Sequence, residues 1–148
     1  MIRKRTQARE CALQILYQNE VNPGPLSELA ANYWRTEEQA ATAQEVREFA
    51  EGLVRGVCEH QEEIDKVISR YADNWELHRM AIIDRNILRY ATYELLYASD
   101  IPPKVTINEA VNLAKKFSQE ESGKFVNGIL DKINHTEPPR NPKTDAAS

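Results

Sequence analysis

Apolar positions along this chain recur at spacings of three and four, and the pattern is widest near the middle. Ile83, Ile87, Leu88, Ala91 and Leu95 lie at helical spacing, and Ile82, Tyr90 and Leu96 spread the apolar surface beyond one stripe. A helix that is apolar on most sides must be covered on most sides. The stretch Ile82 to Tyr97 is therefore predicted to be a central helix against which the others pack. It ends at Asp100-Ile101-Pro102-Pro103, because proline lacks an N–H and pushes its predecessor out of helical geometry.

The flanking pattern is helical too. Ala8, Cys11, Ala12, Ile15 and Leu16 predict an amphipathic helix over 4–19, with Arg5, Arg9 and Gln18 on its polar face. Asn22-Pro23-Gly24-Pro25 breaks it, and Leu26, Leu29, Ala30 and Tyr33 suggest a short second helix. The polar segment Thr36 to Ala41 reads as a loop. Thr42-Ala43-Gln44-Glu45 fits a capping box, in which the threonine hydroxyl and the glutamate satisfy each other's backbone N–H groups. Val46, Phe49, Ala50, Leu53, Val54 and Val57 follow as a stripe, continued by Ile64, Val67, Ile68 and Tyr71 as one long helix or two. Gly52 and Gly56 form a small-xxx-small step, read as close helix packing. Asp73-Asn74 is expected to turn, and Trp75 to Met80 to form a short helix.

A second capping box is expected at Thr106-Ile107-Asn108-Glu109, opening a helix with Ile107, Ala110, Val111, Ala114 and Phe117 on its stripe. Ser118 to Ser122 reads as an acidic connector, and Phe125, Val126, Ile129, Leu130 and Ile133 as a last helix. From Asn134 the chain is Pro-rich and polar, without the apolar residues to offset ordering entropy, and a disordered tail over 134–148 is expected. The organisation is one all-α domain over 1–133 with that tail.

Composition supports an ordinary globular chain: 148 residues, 41% hydrophobic and 28% charged. No apolar run approaches the roughly 20 residues needed to cross a bilayer. Cys11 and Cys58 sit alone among apolar positions and read as two buried thiols in a reducing cytosol. The formal net charge of −4 argues against a polyanionic partner until its distribution is considered. Arg3, Lys4, Arg5 and Arg9 all precede the first acid, Glu10, whereas ten acids and only three arginines lie between Ser27 and Asp65. A basic end on an acidic body concentrates one local positive field.

Catalytic constellations are missing. His60, His78 and His135 have no metal-ligand spacing with Cys, Asp or Glu beyond what a solvated helix face offers. Gly123 to Gly128 has the outer spacing of a phosphate loop but not its Lys-Ser/Thr pair. No metal, cofactor or catalytic residue is expected, and the chain does not read as an enzyme. The basic start of the first helix, aided by the helix's positive end, suits phosphates. Tyr17 on the same helix either stacks on an unpaired base or forms the edge of the core.

Arg9-Glu10-Cys11-Ala12-Leu13-Gln14-Ile15-Leu16-Tyr17 resembles the opening helix of the NusB transcription antitermination factors. The resemblance continues through Ile87-Leu88-Arg89-Tyr90-Ala91-Thr92-Tyr93-Glu94-Leu95. It is strongest over 100–117 (DIPPKVTINEAVNLAKKF) and 124–132 (KFVNGILDK). The motifs occur in the family's order and span almost the whole chain apart from the tail; residues 20 to 80 match mainly in pattern.

The resemblance implies an all-helical fold of about seven helices in two packed subdomains. It also implies a cytoplasmic, non-catalytic protein that binds the boxA element of nascent ribosomal RNA transcripts. The implied partners are NusE, a small-subunit ribosomal protein, and through it the RNA polymerase antitermination complex. Carried onto this sequence, it places RNA contacts at Arg3, Lys4, Arg5, Arg9 and Tyr17, and at Asp84 and Lys104 beside the central helix. Asp84 would accept a hydrogen bond from a base or ribose, or else cap the helix start. Glu121 and Phe125 fall where the family meets NusE; Glu121 stands where some relatives have aspartate. The alternative is a helical interaction module or homodimer without sequence-specific RNA binding.

Overall fold

The computed structural model describes residues 3–72 and 76–140. Seven α-helices and one 3-10 turn make up its regular structure, with no strand among the described residues. The chain divides after Glu59 into two helical units.

The first unit holds α1 (Lys4–Val21), α2 (Leu26–Arg35) and α3 (Gln44–Glu59). α1 packs chiefly on α3 and α2 rests on α1. Ala8, Cys11, Ala12, Ile15 and Leu16 are buried, as their spacing predicts, against Val46, Ala50, Leu53, Val54 and Val57. α2 contributes Tyr33 and Trp34, which meet edge to face with ring centroids 4.9 Å apart. Each reaches a polar partner: the Tyr33 hydroxyl donates to Gln14 and Trp34 Nε1 to Glu51 at 2.6 Å. The capping box expected at Thr42 does not form. α3 starts at Gln44, the Thr42 hydroxyl bonds Gln39 Oε1 at 2.9 Å, and the Glu45 carboxylate is ion-paired with Lys4. Gly52 faces open space, so the expected close packing does not occur there.

The second unit holds α4 (Gln61–Tyr71), the 3-10 turn Leu77–Arg79, α5 (Ile82–Tyr97), α6 (Pro103–Phe117) and α7 (Glu120–Thr136). The long stripe from Val46 to Tyr71 is thus two helices, interrupted at His60 (φ −114°, ψ 16°). The turn expected at Asp73-Asn74, and Trp75 with it, lie outside the described residues.

α5 contacts α4, α6 and α7, which makes it the centre of this unit. Ile87, Leu88, Tyr90 and Ala91 are fully buried, and so are Thr92 and, to 1% exposure, Asn86 and Glu94. Arg89 forms a two-bond pair with Asp65 of α4, at 2.9 and 3.0 Å. The Thr106 hydroxyl of α6 donates to Glu94 Oε1 at 2.6 Å. That bond corrects the second capping box. α6 begins four residues earlier than that box implies, with Pro103 at its first position, where a fixed φ and a missing N–H suit a helix start. Thr106 is left inside the helix, facing the core.

α7 runs to Thr136, past the predicted start of the tail at Asn134. Beyond it Glu137 accepts hydrogen bonds from the Tyr71 hydroxyl at 2.5 Å and from Arg70 and Arg140. Arg140 also donates to Glu63, and its backbone N–H to the Leu96 carbonyl at 2.6 Å. A polar segment is thereby tied down by charge rather than by apolar burial; residues 141–148, the rest of the expected tail, lie outside the described residues.

The Tyr71 hydrogen bond, with Arg140 and Arg70, holds the Glu137 carboxyl below its ordinary value. A depressed carboxylate stabilises the fold above the ordinary glutamate range, and that contribution fades as pH falls through the depressed value. Glu137→Gln is expected to lower stability at neutral pH and to converge with the parent protein at strongly acidic pH. Urea unfolding across the acid range checks this.

Candidate nucleic-acid interface

The first turn of α1 carries cations and no acid. Positive side chains at a helix N-terminus oppose its dipole, so this arrangement costs stability while adding to the attraction for an anion. The four basic residues there are not equivalent. Arg3 and Arg5 are exposed, and their side chains form no hydrogen bond or ion pair among the described residues. Lys4 is exposed but ion-paired with Glu45 of α3. Arg9 is only 1% exposed, with its guanidinium carbon 5.4 Å from the Phe49 ring centroid.

Burial changes the reading of Arg9. It lies on the side of α1 that faces α3, and its guanidinium is not a surface group open to phosphate. The Arg5 guanidinium lies over the same ring, 4.7 Å from the centroid, yet stays exposed. Tyr17, further along α1, is 40% exposed and stands at the surface.

In the second unit Asp84, Glu121 and Phe125 line one cleft of about 310 Å³. Arg79, Met80 and Ala81 precede α5 on one side, and Ser118, Gln119 and Ser122 flank the start of α7 on the other. The family resemblance assigns Asp84 and the Glu121–Phe125 pair to different surfaces, whereas the fold brings them together. The Ser122 hydroxyl donates to Asp84 Oδ2 at 3.1 Å and lies 3.0 Å from the Ser118 hydroxyl. Asp84 Oδ1 is buried without a hydrogen-bond partner among the described residues. Asp84 forms no capping hydrogen bond, since α5 has Ala81 at its N-cap and no side-chain cap.

Arg85 donates to the carbonyls of His78 at 3.2 Å and Met80 at 3.0 Å, which braces the segment on the α5 side of the cleft. Glu121 is exposed in the first turn of α7, not in a connector, and Phe125 is half-buried. Lys104 is exposed in the first turn of α6, without an ion pair among the described residues, and does not line the cleft.

Sequence reasoning placed Phe49 in the core stripe and did not single out Arg79, Ser118 or Ser122. An aromatic at a stripe position carries no sign that its face will meet two guanidiniums. Burial pushes the Cys11 thiol above its ordinary value, and Cys58 is half-buried. No group of three His, Cys, Asp or Glu able to hold a metal occurs among the described residues. No helix among them is long and apolar enough to cross a membrane.

The NusB family model matches residues 6–135. The chain belongs to the NusB family. Transcription antitermination protein NusB of Anaeromyxobacter sp. strain Fw109-5 is 49% identical over 142 residues, covering 96% of this chain and 97% of that protein. The NusB of Geobacter sulfurreducens is 50% identical over 137 residues, covering 90% and 96%. Among solved structures, NusB of T. maritima superposes with a TM-score of 0.83 at 40% identity, covering 95% of this chain and 96% of that one. A crystal structure of antitermination factors NusB and NusE in complex with dsRNA contains a chain with TM-score 0.81 and 32% identity, covering 91% and 98%. The all-α fold expected from the sequence is the fold of this family.

The contrast between neighbouring arginines is open to test. Arg9→Ala removes a buried side chain and is expected to destabilise by about 1–3 kcal/mol. Arg5→Ala removes an exposed one and is expected to cost about 1 kcal/mol or less. Denaturant titration of the two variants checks the difference.

Proposed function

We propose that this protein is a non-catalytic antitermination factor of the cytoplasm. It binds the boxA element of nascent ribosomal RNA transcripts together with NusE, within the RNA polymerase antitermination complex, and needs no cofactor. The observation that carries this reading is the exposed Arg3–Arg5 pair at the positive end of α1, in a family whose members include a NusB captured with NusE and dsRNA. Phosphate contacts give affinity without sequence information. Tyr17 is the group suited to stack on an unpaired base, and Lys104 supplies a further cation. Arg9 supports this surface from beneath, and Lys4 joins it when its pairing with Glu45 is exchanged for phosphate.

The cleft lined by Asp84, Glu121 and Phe125 serves the second role. A carboxylate oxygen buried without a partner favours a ligand that brings an N–H or O–H donor. Glu121 at the rim and Phe125 within offer NusE a charged and an apolar contact. In this reading Asp84 beside them accepts a hydrogen bond from RNA.

Two charge reversals separate the surfaces. Arg5→Glu is expected to weaken boxA RNA binding about tenfold at low salt with the fold intact. Glu121→Lys is expected to weaken association with NusE first. Gel-shift titrations with boxA RNA, with and without NusE, and circular dichroism of each variant provide the check. Unchanged affinities in folded variants would overturn the assignment.

A further inference from the structure

We infer that α3, through Phe49, is a positioning element for the RNA-binding turn of α1, and that Arg5 is the cation it presents. This rests on the proposed RNA-binding function and adds to it a residue outside the RNA contacts. The Arg5 guanidinium carbon lies 4.7 Å from the centroid of the Phe49 ring. Such a contact orients a cation by the ring's quadrupole and consumes none of its N–H donors on an acceptor. The Arg5 guanidinium is exposed and makes no hydrogen bond or ion pair among the described residues, so those donors remain for phosphate oxygens.

The neighbours sharpen the contrast. Arg9, on the same ring, is buried and fixes Phe49 from the core side. Lys4 is ion-paired with Glu45, one turn before Phe49 on α3. The same helix therefore holds one cation in an ion pair, buries a second, and leaves a third oriented and unneutralised. An arginine oriented before RNA arrives loses less side-chain entropy on binding than one waving freely, and the saving appears in affinity.

A double-mutant cycle with boxA-type single-stranded RNA at low salt, read by fluorescence anisotropy, tests this. Phe49→Leu is expected to weaken binding by about 2- to 5-fold. Phe49→Tyr, which keeps the ring, is expected to restore it. In an Arg5→Gln background the Phe49→Leu effect is expected to vanish, because Phe49 acts through Arg5.

Loss of affinity in Arg5→Gln with none in Phe49→Leu, or a Phe49→Leu effect that persists in the Arg5→Gln background, would overturn this inference alone. No change in Arg5→Gln, or no RNA binding by the parent protein, would overturn the RNA-binding role of the α1 turn as well. Where Phe49→Leu fails to fold, NMR of the parent protein decides. Ring-current-shifted Arg5 side-chain protons support the inference, and random-coil shifts refute it.

Discussion

Covering α5 on nearly every side forces its polar groups to find partners inside the protein. A buried group without a partner costs the full penalty of leaving water. The second unit meets part of this demand, from its other helices and from α5 itself, while Thr92 Oγ1 and Asp84 Oδ1 are buried without a hydrogen-bond partner among the described residues. Asp65 of α4 takes both arms of Arg89, Thr106 of α6 bonds Glu94, and Asn86 donates back to the Ile82 carbonyl at 2.9 Å. These bonds are directional, so they fix how α4 and α6 sit on α5, which apolar contact alone does not. One consequence reaches the surface. With α5 held in place, its first turn presents Asp84 beside the start of α7, and the cleft with Glu121 and Phe125 follows.

In the first unit the constraint is electrostatic. The net charge of the chain is negative, and its cations at the start of α1 lie where the helix dipole disfavours them. Their arrangement is governed by α3, whose Glu45 and Phe49 face them. A turn selected only for stability would carry acids there. Its basic character is the cost of the anion-binding surface proposed there.

Periodicity made the helices legible, because core positions of a helix are set by one spacing. It located the buried faces of α1 and α3 and the central place of α5 within the second unit. It did less well where a side chain's partner is distant in sequence. Thr106 has the local signature of a cap, yet its hydroxyl serves Glu94, and Pro103 already supplies the helix start. Arg9 reads as polar surface, yet a long aliphatic stem and an aromatic neighbour allow a guanidinium to be buried. Asp84, Ser118 and Ser122 share no motif, and only the packing of α5 against α7 joins them. Polar residues from 134 to 140 read as tail because charge clasps, unlike apolar stripes, have no period.

The most direct test is the salt dependence of binding by the parent protein to boxA RNA and to a scrambled RNA, with NusE present. Binding to boxA is expected to be the tighter. Log affinity is expected to fall with log salt at a slope steeper than about −1, as two or more phosphates neutralised on a single strand require. Equal affinity for the two RNAs, or an affinity indifferent to salt, would contradict the proposed function.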